Sequence, residues 1–101
     1  MNYANYGLSQ KLHQLTIGKW DTGTHFGADG MGAIPKYDLE YLMSKLPDDV
    51  YDDDRPATSG QYKDGKWFCG YAFGISCSAD TPEDAAAKLC IELIEQKVIE
   101  V

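Results

Sequence analysis

One change of hydrophobic period, within residues 64–98, limits the folds open to this chain. From Trp67 onward the odd positions are Trp67, Cys69, Tyr71, Phe73, Ile75, Cys77 and Ala79, and the even ones are Phe68, Gly70, Ala72, Gly74, Ser76 and Ser78. Successive residues of a strand point to opposite faces, so this spacing predicts a sheet with one large apolar face and small residues opposite. A single strand of that length would be unusual, because strands typically run about 5–6 residues. Gly74 therefore marks a bend, a bulge or a second turn, and the stretch reads as two strands. Asp64 and Gly65 have the chemistry of a tight two-residue hairpin turn, with Gln61, Tyr62 and Lys63 as the strand leading into it.

The period then lengthens. Asp80, Thr81, Pro82, Glu83 and Asp84 start a helix: Thr81 can cap the free amide of Asp84, Pro82 suits the first helical position, and two acids meet the positive helix end. The helix is predicted to run through Lys97. Ala85, Ala86, Leu89, Cys90, Ile91, Leu93, Ile94 and Val98 cover well over half its circumference, while Asp84, Lys88, Glu92 and Glu95 share one narrow side. A stripe that wide is buried on more than one side. Alanines at its start allow a close approach to the sheet.

Upstream, Leu8, Leu12 and Leu15 lie at helical spacing, with Ser9 near the start and Gly18 past the end. A short helix fits there, although Leu15, Thr16 and Ile17 could equally begin a strand. Residues 20–33 are broken by Gly23, Gly27, Gly30 and Gly32, which reads as a loop with room for a short strand near Trp20 or Phe26. These glycines match no phosphate-binding spacing. Residues 34–46 are predicted as a second helix, with Leu39, Leu42, Met43 and Leu46 on one stripe and Pro47 stopping it. Residues 55–60 read as loop. The expected fold is a single α+β domain: a short antiparallel sheet of about three strands, around Tyr62 and 67–79, packed against two main helices at 37–46 and 82–97, with an extra N-terminal helix compatible with 3–17. Residues 1–33 carry that helix and the glycine-rich loop, and 34–101 the helix–strands–helix core.

A length of 101 residues suffices for one modest core, and 44% apolar with 25% charged residues belongs to a globular chain. No apolar run approaches the ~20 residues of a membrane span and the N-terminus lacks a secretory pattern, so the expectation is a protein of the cytosol with no membrane contact. Cys69, Cys77 and Cys90 are odd in number and embedded in apolar patterns, so they read as buried free thiols.

Net charge is −7, and residues 38–64 hold eight acids against three bases. The densest part is Asp48, Asp49, Asp52, Asp53 and Asp54, with Tyr51 among them. Three readings apply to it. Carboxylates at short spacing suit a hard cation, but the glycine and distal glutamate of an EF-hand loop are missing. A solvated loop is the plain alternative. The third is a protein-binding surface in which dense carboxylates imitate a phosphate track and attract a basic groove. On that reading Glu40 extends the patch, and Tyr51 supplies a desolvated anchor.

Elsewhere the chemistry is sparse. Asp21, His25 and Asp29 are spaced by four, a metal face on a helix, yet Gly23 and Gly27 argue against a helix. His13 has no cysteine or acid near it in sequence. No serine elbow appears, the cysteines sit in core patterns, and no carboxylate pair stands in an apolar setting, so no catalytic, metal or cofactor residues are assigned and no enzyme is expected. Seven tyrosines could stack on bases, but single-strand binders add positive grooves and this chain has only scattered lysines. Direct nucleic-acid binding is not expected.

Trp67 to Tyr71, then Ala79 to Leu89 with Leu93 and Ile94, resemble a pattern common in small uncharacterised proteins of bacteriophages and prophages, the phage ABA sandwich type. Leu39, Leu42, Met43, Leu46 and Pro47 resemble the helix that often precedes it, and the likeness spans roughly the last two thirds of the chain. The order helix, strands, helix is also similar to the double-stranded RNA-binding domain. In that domain the RNA-binding helix start carries lysines, whereas Pro82, Glu83 and Asp84 stand here, so the activity is not carried over. The phage resemblance implies no reaction and no catalytic residues. It places the expected function in a phage or mobile element: a non-enzymatic protein that binds a host protein with a basic surface, as an acidic nucleic-acid mimic inhibiting a defence nuclease, in the manner of an anti-CRISPR. The alternative is a structural module that self-associates as a homodimer through its wide apolar helix.

Overall fold

The computed structural model describes residues 2–26, 34–47, 57–71 and 74–101. Its elements run α1 (Tyr6–Leu15), β1 (His25–Phe26), β2 (Ile34–Pro35), α2 (Leu39–Lys45), β3 (Thr58–Gln61), β4 (Trp67–Gly70), β5 (Ser76–Ala79) and α3 (Pro82–Glu95). The fold is α+β, with a three-stranded antiparallel sheet in the order β3-β4-β5 and a two-stranded one formed by β1 and β2.

The period-two stretch does divide into two strands. β4 and β5 pair antiparallel with Cys69 opposite Cys77 and Trp67 opposite Ala79, and Tyr71 N–H donates to Ile75 O across the turn (3.0 Å). Cys69, Tyr71 and Ala79 are buried, and Trp67, Ile75 and Cys77 pack against the same core. Phe68, Gly70, Ser76 and Ser78 fall on the opposite face. Phe73, read as part of the apolar series, lies outside the described residues.

The β3–β4 hairpin departs from the expected two-residue turn. Tyr62 N–H donates to Lys66 O (2.7 Å) and Gly65 N–H to Tyr62 O (3.1 Å), so the loop has three residues, 63–65. Gly65 adopts φ 93° while Asp64 keeps an ordinary negative φ. This is a tight turn closed by a left-handed glycine bulge, which uses the same Asp-Gly pair one place further along. The strand before it also differs: β3 comprises Thr58, Ser59, Gly60 and Gln61, most of which read as loop from sequence. Pairing with β4 overrides their weak strand preference, and a Cβ on Gly60 would stand 2.8 Å from the Phe68 ring, so that ring covers the glycine.

α3 follows its sequence signals closely. The Thr81 hydroxyl accepts the Asp84 N–H (3.1 Å) with Pro82 in the first helical turn. The helix stops at Glu95, where the chain turns over Gln96 and Lys97. Ala85, Ala86, Ala87, Leu89, Cys90 and Leu93 are fully buried, because the sheet, α1 and α2 all pack onto this helix. The apolar surface of Pro82–Glu95 is thus covered within the chain, whereas Val98, read as part of the same stripe, lies past the helix end and is exposed.

The two flanking helices each needed a correction. α1 is capped by Asn5, whose side chain accepts the Leu8 N–H (2.9 Å); Ser9 is buried and its hydroxyl donates to Ala4 O (3.2 Å). α2 begins at Leu39 rather than Ile34, because Ile34 and Pro35 form β2 and pair with Phe26 and His25. Pro35 holds the residue before it extended, and the Asp38 carboxylate caps the Tyr41 N–H (2.8 Å). Among the described residues no helix is long and apolar enough to cross a membrane.

Candidate functional site

The residues that flank the acidic segment on either side are described. Pro47 O accepts the Tyr71 hydroxyl (2.7 Å), and Thr58 pairs with Gly70, the neighbour of Tyr71. Both flanks of residues 48–56 are therefore held at one corner of the sheet, the C-terminal end of β4. Asp48, Asp49, Tyr51, Asp52, Asp53 and Asp54 themselves lie outside the described residues. Glu40 is exposed, in the first turn of α2. The seven residues of α2 put that end about 10 Å from the Lys45 end by helical rise. Glu40 shares a shallow depression with Asp38, Tyr41 and Ser44.

The start of α3 is not open to a phosphate. Asp84 Oδ1 accepts the Asn5 N–H (2.7 Å) and its Oδ2 lies 3.3 Å from Asn5 Nδ2, which ties the first turn of α3 to the cap of α1. A negative group already satisfies the positive helix end there.

Asp21 and His25 meet without a helix. A turn with Gly23 at φ 82° brings His25 Nε2 to 2.8 Å from Asp21 Oδ1, which also accepts the Gly23 N–H (2.8 Å). The Gly23 N–H, and then His25, hold the Asp21 carboxyl below the usual range. Asp29 lies outside the described residues. His13 is half-buried, with its Nδ1 out of solvent and without a hydrogen-bond partner among the described residues. Among the described residues no three His, Cys, Asp or Glu side chains converge as a metal would require.

No family model, curated protein or solved structure matches this chain.

The thiols sit as their patterns indicated, with one difference. Cys69 and Cys90 are fully buried and Cys77, on the edge strand β5, is half-buried. Burial pushes Cys69 up to about 12 and raises Cys90 as well; Cys77 is raised by burial and then by Glu92. Protonated thiols are poor nucleophiles. Cys69 donates to Met43 Sδ (3.5 Å) and Cys90 to Leu42 O (3.7 Å), so both tie α2 to the core.

Sequence reasoning missed a group of aromatic residues with lysines seated on them. Phe26 meets Tyr3 and Tyr6 edge-on, with centroids 5.2 and 5.4 Å apart, and Lys36 Nζ lies 4.8 Å from the Tyr3 centroid. Lys45 Nζ stands over Tyr41 and Trp20 in the same way (5.1 and 5.6 Å). The Tyr37 hydroxyl donates to Trp20 O (2.5 Å), and burial raises its pKa. Lys45 and Tyr41 are an i,i+4 pair within α2, but the other contacts join residues far apart in sequence or in different elements, so no local pattern announces them. Next to the first group a cleft of about 200 Å³ opens between Tyr3, Thr22, Thr24, Lys36 and Asp38.

Proposed function

We propose that this chain is a non-enzymatic binding protein whose acidic segment engages a basic surface on another protein. In the phage or mobile-element setting that its sequence resembles, the partner is a host nuclease, and the carboxylates occupy a groove that otherwise holds nucleic acid. The observation that carries this reading is the shared anchor of the segment. Pro47 and Thr58, on either side of it, are both held against residues 70 and 71. The two ends of the segment are fixed to neighbouring residues, and five carboxylates stand within the seven residues 48–54 between them. Dense like charge at one place is what a basic groove recognises. The self-association reading has less support, because the apolar surface of α3 is covered by the sheet, α1 and α2.

The test replaces Asp52, Asp53 and Asp54 with Asn, keeping size and removing charge. Affinity for a captured host partner is then measured at two salt concentrations, with duplex DNA as competitor. Exposed charges attract over a Debye length of ~8 Å at physiological salt, so the parent chain should weaken as salt rises and should compete with DNA. The triple variant should bind less tightly and with a smaller salt slope. Equal affinity and equal slope would reduce the cluster to a solvated loop.

A further inference from the structure

We propose that the cleft lined by Tyr3, Thr22, Thr24, Lys36 and Asp38 binds a small zwitterion of the α-amino acid class. This site is distinct from the acidic segment and stands whether or not that segment binds a protein.

Size and rigidity come first. At about 200 Å³ the cleft is smaller than the ~300–1,000 Å³ typical of larger ligands, which points to a molecule of few heavy atoms. Among the described residues three separate stretches line it, and backbone hydrogen bonds fix them to one another. Ala4 N–H donates to Tyr37 O (2.8 Å), and Lys36 N–H donates to Thr24 O (2.7 Å). The Thr22 hydroxyl lies 3.0 Å from both Thr24 O and Lys36 O. Polar groups held in this way lose little freedom when a ligand arrives.

Charge then selects the ligand. Lys36 Nζ is steered into place by two rings, 4.8 Å from the Tyr3 centroid and 5.7 Å from that of Phe26. Asp38 spends Oδ1 on the Tyr41 N–H, and its other oxygen takes no hydrogen bond from a described residue. The two opposite charges line one cleft, yet among the described residues neither takes a salt-bridge partner. A simple anion drawn to Lys36 would meet the Asp38 carboxylate, and a simple cation would meet the Lys36 ammonium. A ligand carrying a carboxylate and an ammonium one carbon apart satisfies both. The Thr24 hydroxyl can donate a hydrogen bond to its carboxylate, and an apolar side chain would rest against Tyr3.

The experiment titrates the full-length ¹⁵N-labelled chain with L-leucine and follows amide shifts. Two further arms use N-acetyl-L-leucine, which lacks the ammonium, and L-leucinamide, which lacks the carboxylate. L-leucine should give saturable shifts at residues 3, 22–24 and 36–38, and each arm missing a charge should bind roughly tenfold more weakly or worse. Lys36→Met keeps the aliphatic stem on the rings, and Asp38→Asn keeps a good helix cap, so both variants retain the fold. Each should lose affinity for L-leucine by roughly tenfold while amides remote from the cleft stay in place. Absence of saturable shifts at tens of millimolar overturns the proposal. So does equal binding of either derivative, which would make the cleft a site for a single charge, and so does undiminished binding by both variants.

Discussion

Ile17 and Lys97 are the described non-glycine residues with positive φ, 54° and 61°, and each sits just past the end of a helix. Both complete the same closure. Gly18 N–H reaches back to His13 O (3.0 Å) and Ile17 N–H to Gln14 O (3.2 Å), while Val98 and Lys97 do the same to Leu93 and Ile94 (2.9 and 3.0 Å). The closure normally takes glycine at its left-handed position, and a β-branched residue there is strained. Ile17 is 81% exposed, so its side chain contributes little packing to set against that strain. Ile17→Gly should therefore raise stability by about 1 kcal/mol, after the extra freedom glycine gives the unfolded chain. A higher urea midpoint at unchanged slope checks it. Asp21 offers a second test at this scale. Its folded pKa is lowered, first by the Gly23 N–H and then by His25, so its stabilising charge is present above the unfolded value of ~3.9 and lost as pH falls through the folded one. Asp21→Asn should consequently be less stable than the parent at neutral pH, with the difference shrinking toward zero in acid. A constant difference across that range would mean the charge plays no part in the turn.

At the level of elements, strong local signals survived and weak ones gave way. The start of α3 was legible because Thr81, Pro82 and Asp84 each act on the adjoining backbone. Capping is local chemistry. The reading of 34–46 as one helix began too early, since Pro35 and the pairing of Ile34 with Phe26 reserve the first residues for a strand. Thr58, Ser59 and Gly60 become a strand only because β4 lies beside them. β4 and β5 meet so closely beyond Gly70 that a Cβ there would overlap the Ser76 Cβ and stand 2.5 Å from the Ser76 Cα. The backbone of β5 would have to move, so Gly70→Ala should destabilise by ~1–3 kcal/mol. Thermal or urea unfolding reads this directly; a loss within experimental error would show that the β4–β5 corner yields easily.

For the molecule as a whole, α3 is the shared partner of the sheet and of both other helices, with Leu89 and Leu93 fully buried along it. Leu89→Ala should cost ~2–5 kcal/mol, because a cavity at that position borders several elements that cannot all close in. The same change should speed native-state labelling of Cys69 and Cys90, whose sulfurs tie α2 to the core, while Cys77, half-buried, should label before either in the parent chain. Cys69 or Cys90 reacting as fast in the native parent as in denaturant would contradict the burial that raises their pKa values.

The residues alone determined the class of the fold: two strands from one alternating run, a capped helix after them, and an apolar surface on that helix too wide for a single contact. These follow from forces acting over a few residues, namely side-chain periodicity, caps and turn geometry. Tertiary structure decided the rest. It set where β3 begins, how Asp21 reaches His25, and which lysines rest on which rings. It also set Lys36 and Asp38 opposite an N-terminal tyrosine in one cleft. Tyr3 and Lys36 are thirty-three positions apart in the chain. The backbone bond from Ala4 to Tyr37 and the seating of Lys36 on the Tyr3 ring bring their segments together, and no periodicity within either segment encodes those contacts.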